Sequence, residues 1–129
     1  MKLYINSRDE LYIIDLSEVA CFNADGNYTN IHYIGGQKQT IALGLSKMEI
    51  LVSSAYPVGR PSPFVRLGRS LLINQMYLCH IDTQKQKIIL SDFKKSSLAI
   101  NVTKNLLKTY KAFVDKSFHE RRDEVRKEE

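Results

Sequence analysis

The sequence predicts a mainly β domain with one short helix in its middle and an amphipathic helix towards its end. Short apolar and aromatic runs separated by turn residues fill most of the first hundred positions. A serine three residues before a glutamate marks a helix start near residue 46, and beyond Thr103 apolar residues recur at intervals of three and four. With 129 residues, the chain is long enough for one domain with its own core.

Five strand-like runs are expected before the first helix. They cover residues 1–6, 11–16, 19–24, 28–34 and 38–43. Gly35-Gly36 between the last two runs is a two-residue hairpin signal, so these runs are predicted to pair antiparallel.

The short helix is predicted over residues 46–54. Ser46 would cap its N-terminus and Glu49 would complete a capping box. Three prolines between positions 57 and 63 then predict a stiff, extended connector, because proline biases the preceding residue away from helix.

Further strands and a second helix are expected after the connector. Strand-like runs cover residues 76–82, 87–90 and 97–100, with turns at 83–86 and 92–96. The helix from Thr103 carries an apolar stripe of Leu106, Leu107, Tyr110, Phe113, Val114, Ser117 and Phe118. The mixed charges of residues 119–129 predict a frayed or disordered end.

The basic character of the chain is concentrated in its middle. Residues 1–59 carry four Lys/Arg and six Asp/Glu, a net charge of −2. Residues 60–103 carry seven and two, a net of +5, and residues 104–129 carry eight and six, a net of +2. Local positive charge predicts a polyanionic partner, of which nucleic acid is the commonest; the alternative is a solvated basic face.

Composition and motifs argue against several classes of protein. Cys21 and Cys79 lie in apolar runs and are expected to be buried, reduced thiols. No apolar run approaches the roughly 20 residues of a membrane-spanning helix, and a cytoplasmic protein without a signal peptide is expected. The three histidines are far apart, and no metal-ligand spacing, P-loop or GxGxxG motif occurs. An enzyme, a metal, a cofactor or a small-molecule substrate is therefore not expected.

The segment FVRLGRSLLIN, residues 64–74, is the first candidate site. Its large apolar residues, namely Phe64, Leu67, Leu71 and Ile73, are expected in the core. Arg66, Arg69 and Ser70 would then form a surface suited to phosphates and guanine edges. The alternative for the arginines is surface ion pairing, although residues 60–103 hold only two acids. Asn74 could instead satisfy a buried backbone group at a turn.

Two more segments offer polar groups of the same kind. The first, ADGNYTN, is a turn signal followed by Asn27, Tyr28, Thr29 and Asn30, which could contact phosphate or a base edge. The alternative is a hairpin tip that is polar because it is exposed. The other combines Lys94 and Lys95 at the 92–96 turn with the junction residues Asn101, Thr103 and Lys104, where a helix N-terminus could receive a phosphate. Plain helix capping is the alternative for Asn101 or Thr103.

These motifs, in this order, resemble the LytTR DNA-binding domain. The elements that carry the resemblance are ADGNY at 24–28 and F-x-R-x-x-R-S-x-x-I-N at 64–74, and the similar region covers roughly residues 10–108. The resemblance implies about ten short strands in three antiparallel sheets. It also implies a bacterial transcription regulator, here in a stand-alone form without a receiver domain, that presents loops to successive major grooves and bends the DNA.

The resemblance also assigns contact loops by position. The first loop would carry Asn27 to Asn30, the second Arg69 and Ser70, and the third Asn101 to Lys104. Gly68 stands where many members have His, and Asn101-Val102 falls where many have Ser-Arg. The apparent loss of an arginine at Val102 puts base reading by the third loop in question.

The prediction is thus a LytTR-like domain over residues 1–104, followed by a helix and charged tail over 105–129. Its expected function is sequence-selective binding of double-stranded DNA in transcription regulation. The alternative is a protein-interaction module of the same fold that has lost DNA binding. The stripe on the C-terminal helix would form a homodimer seam or pack back on the sheets.

Overall fold

A computed structural model of the chain describes residues 1–121 and confirms the mainly β class, with ten strands in three antiparallel sheets and two helices. The strands are β1 (Lys2–Asn6), β2 (Leu11–Asp15), β3 (Val19–Asp25), β4 (Tyr28–Tyr33), β5 (Lys38–Ile41), β6 (Phe64–Leu67), β7 (Leu71–Asn74), β8 (Leu78–Asp82), β9 (Lys87–Ser91) and β10 (Ser97–Asn101). The helices are α1 (Leu45–Ser54) and α2 (Lys104–Arg121).

A five-stranded sheet in the order β5-β4-β3-β7-β6 forms the middle layer of the molecule. Neighbouring residues on a strand point to opposite faces, and accordingly Cys21 and Phe22 belong to two different hydrophobic clusters. The cluster around Phe22 includes the sheet β1-β2 and α1. The cluster around Cys21 includes the sheet β10-β9-β8 and the first turns of α2.

The segment 64–74 forms the hairpin of β6 and β7 at the edge of the middle sheet. The four apolar residues that were predicted to lie in the core are buried. Asn74 is also buried: its Nδ2 atom donates to the Val19 carbonyl at 3.0 Å, and its Oδ1 atom accepts from the Met76 backbone N–H. Asn74 therefore has the structural role given above as its alternative.

The capping box predicted for the first helix is wrong. Helix α1 begins at Leu45 with Gly44 as its N-cap, so Ser46 lies inside the first turn. The Leu45 side chain is buried, and burying it starts the helix earlier than the capping pattern indicates. Glu49 is instead drawn into an ion pair with Arg66.

Several strand boundaries also differ from prediction by one or two residues. Residues 34–37 connect β4 to β5, and the Tyr33 N–H donates to the Gln37 carbonyl at the base of this connection. The strand expected from residue 76 begins at Leu78, since Gln75–Tyr77 forms a short 3-10 turn capped by Asn74.

The two cysteines differ in environment. Cys21 is buried, as expected, and burial raises the pKa of its thiol to about 12. The prediction is wrong for Cys79, which is exposed and lies at an irregularity in the pairing of β8 with β9, between Leu78 and His80.

Helix α2 packs partly back on the sheets. Leu107 and Tyr110 are buried in the second cluster, whereas Leu106, Phe113 and Phe118 remain exposed. Residues 119–121, which were expected to be frayed, are helical, and residues 122–129 lie outside the described part. The division of the chain at residue 104 stays a prediction.

Within residues 1–121, neither helix is long and apolar enough to cross a membrane.

Candidate nucleic-acid interface

Two hairpin turns meet at one end of the middle sheet. The β3–β4 turn is the pair Gly26-Asn27, with Gly26 at φ +61° in the position that a type II′ turn reserves for glycine. The β6–β7 turn is residues 68–70. The Ala24 N–H donates to the Ser70 carbonyl at 2.8 Å, which holds the two turns side by side.

Arg66 braces the second turn from within. Its Nε atom donates to the Gly68 carbonyl at 2.9 Å and its Nη2 atom to the Arg69 carbonyl at 2.7 Å. Its Nη1 atom pairs with Glu49 on α1 at 2.8 Å. The guanidinium of Arg66 is thus bonded within the protein, to an acid from outside the 60–103 block, and ligand contact by Arg66 stays a prediction.

Arg69 remains exposed beside the first turn. An open cleft of about 540 Å³ runs between the two turns and the start of α1. Its polar lining residues are Asn27, Ser46, Lys47, Arg66 and Arg69. Lys47 was not selected from the sequence, because only the fold brings α1 next to these turns.

A second cleft, of about 370 Å³, opens on the other side of the β6–β7 turn. It joins Ser70 to Asn101 at the end of β10, over an apolar floor that includes Leu71 and Ile100. Inside it, His32 Nε2 and Asn23 Oδ1 are 2.6 Å apart. Burial, together with the charge of Lys38, lowers the pKa of His32 below its usual range. The pair therefore presents uncharged hydrogen-bonding groups, and sequence inspection missed it because its partners are nine residues apart on two strands.

Thr29 and Asn30 are not available to a ligand, contrary to prediction. Both side chains are buried. The Thr29 hydroxyl donates to the Leu43 carbonyl at 2.7 Å, and Asn30 Oδ1 accepts from the Thr40 hydroxyl at 2.7 Å. Tyr28 and Asn27 are exposed, so only these two residues of the first loop can reach outward.

A third cleft, of about 300 Å³, continues the row at the end of the three-stranded sheet. It is lined by Lys85 and Gln86 of the β8–β9 turn and by Asn101, Val102 and Thr103. The Val102 N–H donates to the Gln86 carbonyl at 3.0 Å, which fixes the junction against that turn. Lys85 is a second cation that the sequence did not single out.

The family comparison decides the class of this protein. The family model for the LytTR DNA-binding domain matches residues 9–114. The chain belongs to the LytTR DNA-binding domain family. Comparison with curated protein sequences returned no significant match.

A solved structure supports the same fold. It is the LytTR DNA-binding domain of a protein from Bacillus cereus described as a methyl-accepting/DNA response regulator. The match has a TM-score of 0.59 at 16% sequence identity and covers 88% of this chain and 95% of that chain. Membership in the family supports DNA binding and transcription regulation as the general function of this LytTR domain.

The third loop of this LytTR domain differs from the expectation in one respect. The Val102 side chain is buried in the second cluster, although the residue also lines the third cleft. The exposed residues that follow are Thr103 and Lys104, a hydroxyl and a cation.

The presence of glycine at position 68 of this LytTR domain is explained by the backbone conformation there and by the nearness of α2. Its φ is +69°, and a Cβ atom there would lie 2.9 Å from the Cδ1 atom of Leu106 on α2. Glycine lets the turn adopt this conformation and lets α2 pack close to it.

Lys94 and Lys95 lie apart from the other predicted residues. Their turn joins the ends of β9 and β10 at Ser91 and Ser97, whereas Asn101 pairs with Lys87 at the opposite end of both strands. The Asp92 carboxylate accepts the N–H groups of Lys94, Lys95 and Ser96, and these bonds lower its pKa. The structure thus separates Lys94 and Lys95 from Asn101, Thr103 and Lys104, which were predicted to form one site.

Among the described residues, no group of three or more His, Cys, Asp or Glu could hold a metal ion.

Proposed function

We propose that this LytTR domain is a cytoplasmic bacterial transcription regulator that binds double-stranded DNA sequence-selectively through one continuous face. The observation that carries the proposal is the row of three clefts described above, with Arg69 and Ser70 between the first and the second. Asn101 lines both the second and the third, so the row is unbroken. The face is defined by its exposed polar residues, namely Asn27, Tyr28, Lys47, Arg69, Ser70, Lys85, Asn101, Thr103 and Lys104.

The cations of this face suit phosphate, and its uncharged groups suit bases. Lys47, Arg69 and Lys104 are exposed and can neutralise backbone charges. The amides and hydroxyls between them, with the His32–Asn23 pair, carry no charge and can donate to or accept from base edges. The apolar floor of the second cleft would contact a thymine methyl group.

Each turn would enter a groove, with the first and third loops in successive major grooves and the duplex bent between them. Hydroxyl-radical footprinting on a selected site tests this arrangement. Protected stretches should recur at about 10 base pairs on one side of the duplex. One uninterrupted protected stretch on both strands would contradict it.

The binding test is a salt series on a duplex obtained by selection from random sequences. Wild type should bind the selected duplex more tightly than a scrambled one, with steep salt dependence. Replacing Lys104 by Gln should lower the slope of log K against log salt by about 0.9, the value of one phosphate contact. Lys94→Gln removes the same charge away from the face and should leave the slope unchanged. No affinity for either duplex at low salt would refute the proposal.

The alternative function is a protein-interaction module of the same fold that has lost DNA binding. It is motivated by the arginine missing at Val102, a residue with a buried side chain that also lines the third cleft. The exposed Thr103 and Lys104, which follow Val102, favour DNA binding over this alternative because they offer a hydroxyl and a cation.

A homodimer through α2 would enlarge the small contact area of one domain. Phe113 is 54% exposed and stacks on Tyr110 with ring centroids 6.4 Å apart, so it offers a flat aromatic surface to a second copy. Sedimentation of wild type and Phe113→Ser tests the seam. Wild type should dimerise and the variant should be a monomer; a monomeric wild type at all concentrations would exclude the seam.

A further inference from the structure

The outer side of the β1-β2 hairpin carries an exposed apolar surface. Tyr4 and Ile13 face each other across the two strands and are 62% and 55% exposed. Leu11 lies two residues before Ile13 on the same side and is 60% exposed. Directly opposed side chains in an antiparallel pair are close neighbours. These three residues therefore form one continuous strip, the apolar ridge.

The apolar ridge leads into a groove with acidic walls. This acidic groove has a volume of about 440 Å³ and is lined by Ile13, Asp15, Glu18, Tyr33, Gly35 and Gln37. Both of its charged lining residues are carboxylates. Asp15 is held in place by the backbone N–H and the hydroxyl of Ser17, at 3.1 and 2.6 Å. These bonds lower its pKa, so the carboxylate stays ionised. Two cations of the chain lie near Asp15, namely the N-terminal ammonium group and Lys2, its cross-strand neighbour.

The carboxylates of the groove also act on two nearby tyrosines. The pKa of Tyr33 is raised by burial and then by the charge of Asp15. The pKa of Tyr77, whose hydroxyl donates to the Ser17 carbonyl, is raised by burial and then by Glu18 and other carboxylates. With Asp15 and Glu18 as its charged lining residues, the groove suits a cation better than a phosphate group.

The acidic groove lies at the far end of the middle sheet from the DNA face. It is next to the start of β3 at Val19, whereas the Gly26-Asn27 turn follows the end of β3 at Asp25. Seven residues of strand span about 20 Å. A domain engaged with DNA would thus keep the ridge and groove open to other molecules.

We propose that the apolar ridge and the acidic groove dock a second protein, one that presents an arginine beside a large apolar side chain. The guanidinium would enter the groove between Asp15 and Glu18, since its planar fork matches carboxylates. The apolar neighbour would cover Tyr4 and Ile13, because exposed apolar surface of this kind marks interaction sites. The proposal uses none of the residues that define the DNA face, and the Gly26-Asn27 turn of that face lies at the other end of the sheet.

The test uses a defined probe, the peptide acetyl-Trp-Leu-Arg-amide, titrated into the ¹⁵N-labelled full chain. Saturable amide shifts should map to β1, β2 and the start of β3. The matched peptide with citrulline in place of arginine keeps the shape but lacks the charge, and it should bind about tenfold more weakly. The same loss is expected for the arginine peptide with Glu18→Gln, and Ile13→Ser should weaken both peptides. Asp9→Asn removes one carboxylate at the opposite end of β2 and should bind like wild type.

Several results would overturn the proposal. One is equal binding of the arginine and citrulline peptides, and another is unaltered binding by Glu18→Gln. Shifts confined to the DNA face, or none at all, would also overturn it. Concentration-dependent shifts of the same strands without peptide would identify a second copy of this chain as the occupant instead. DNA affinity of Ile13→Ser and Glu18→Gln should equal that of wild type, which separates failure here from failure of the proposed DNA binding.

Discussion

The Nη1 atom of Arg66 lies 2.8 Å from Oε1 of Glu49, and this ion pair joins the hairpin β6–β7 to helix α1. The same guanidinium holds the carbonyls of Gly68 and Arg69. One arginine therefore fixes the turn that exposes the next one. Both side chains are partly solvated, with 25% and 39% exposed, so the ion pair itself contributes only about 0–1 kcal/mol to stability. The ion pair matters because it holds Arg66 in the position from which its guanidinium binds the Gly68 and Arg69 carbonyls.

Arg66 and Arg69 should differ in how their loss affects DNA binding. Arg66→Lys cannot hold three acceptors in one plane, so the turn loosens and affinity falls while the salt slope stays the same. Arg69→Gln should lower the slope by about 0.9. Fluorescence anisotropy across a salt series measures both. A slope lowered equally by the two variants would show that Arg66 also contacts phosphate.

Thr29→Val should cost stability without changing the salt slope. The variant leaves the partly buried Leu43 carbonyl without its hydroxyl donor, which should lower the free energy of unfolding by about 0.5–1.5 kcal/mol. Urea unfolding measures the loss, and Thr109→Val on the exposed side of α2 is the control. An unchanged stability with weakened DNA binding would restore Thr29 as a contact residue.

Gly68→Ala should destabilise the domain more than Gly59→Ala. Both positions have positive φ, which costs a side chain about 1–2 kcal/mol, but only the Cβ atom at Gly68 meets another side chain. Adding Leu106→Ala should restore part of the loss at Gly68 by removing that contact. Urea unfolding of the two single variants and the double variant tests this order, and equal losses at both glycines would contradict the packing explanation.

His32 should make the domain less stable as the pH falls. Its pKa in the folded state is lowered by burial, so the unfolded chain takes up the proton first. The loss should begin near the usual histidine pKa of about 6.5 and level off below the lowered value. His32→Gln should show a smaller loss between about pH 7.5 and 5, with His80→Gln as the control for removing an imidazole. A pH profile of His32→Gln identical to that of wild type would be inconsistent with a lowered pKa.

The candidate site was predictable only in part. Arg69 and Ser70 could be chosen because they stand between apolar residues that had to be buried. Thr29 and Asn30 were chosen wrongly, since their polarity serves hydrogen bonds to Leu43 and Thr40 that come from the next strand and its loop. Lys47 and Lys85 were missed because nothing local distinguishes a lysine beside a cleft from one in solvent.

The amino-acid pattern alone determined the β class, the order of most strands, the buried residues of the 64–74 segment and the family. These follow from local periodicity, turn residues and a motif read along the chain. Only the tertiary structure decided which polar side chains face outward. That choice depends on partners distant in sequence, such as Glu49 for the Arg66 side chain and the Leu43 carbonyl for the Thr29 side chain. The division of Lys94 and Lys95 from Asn101 has the same cause, since strand direction places the two ends of β9 and β10 apart.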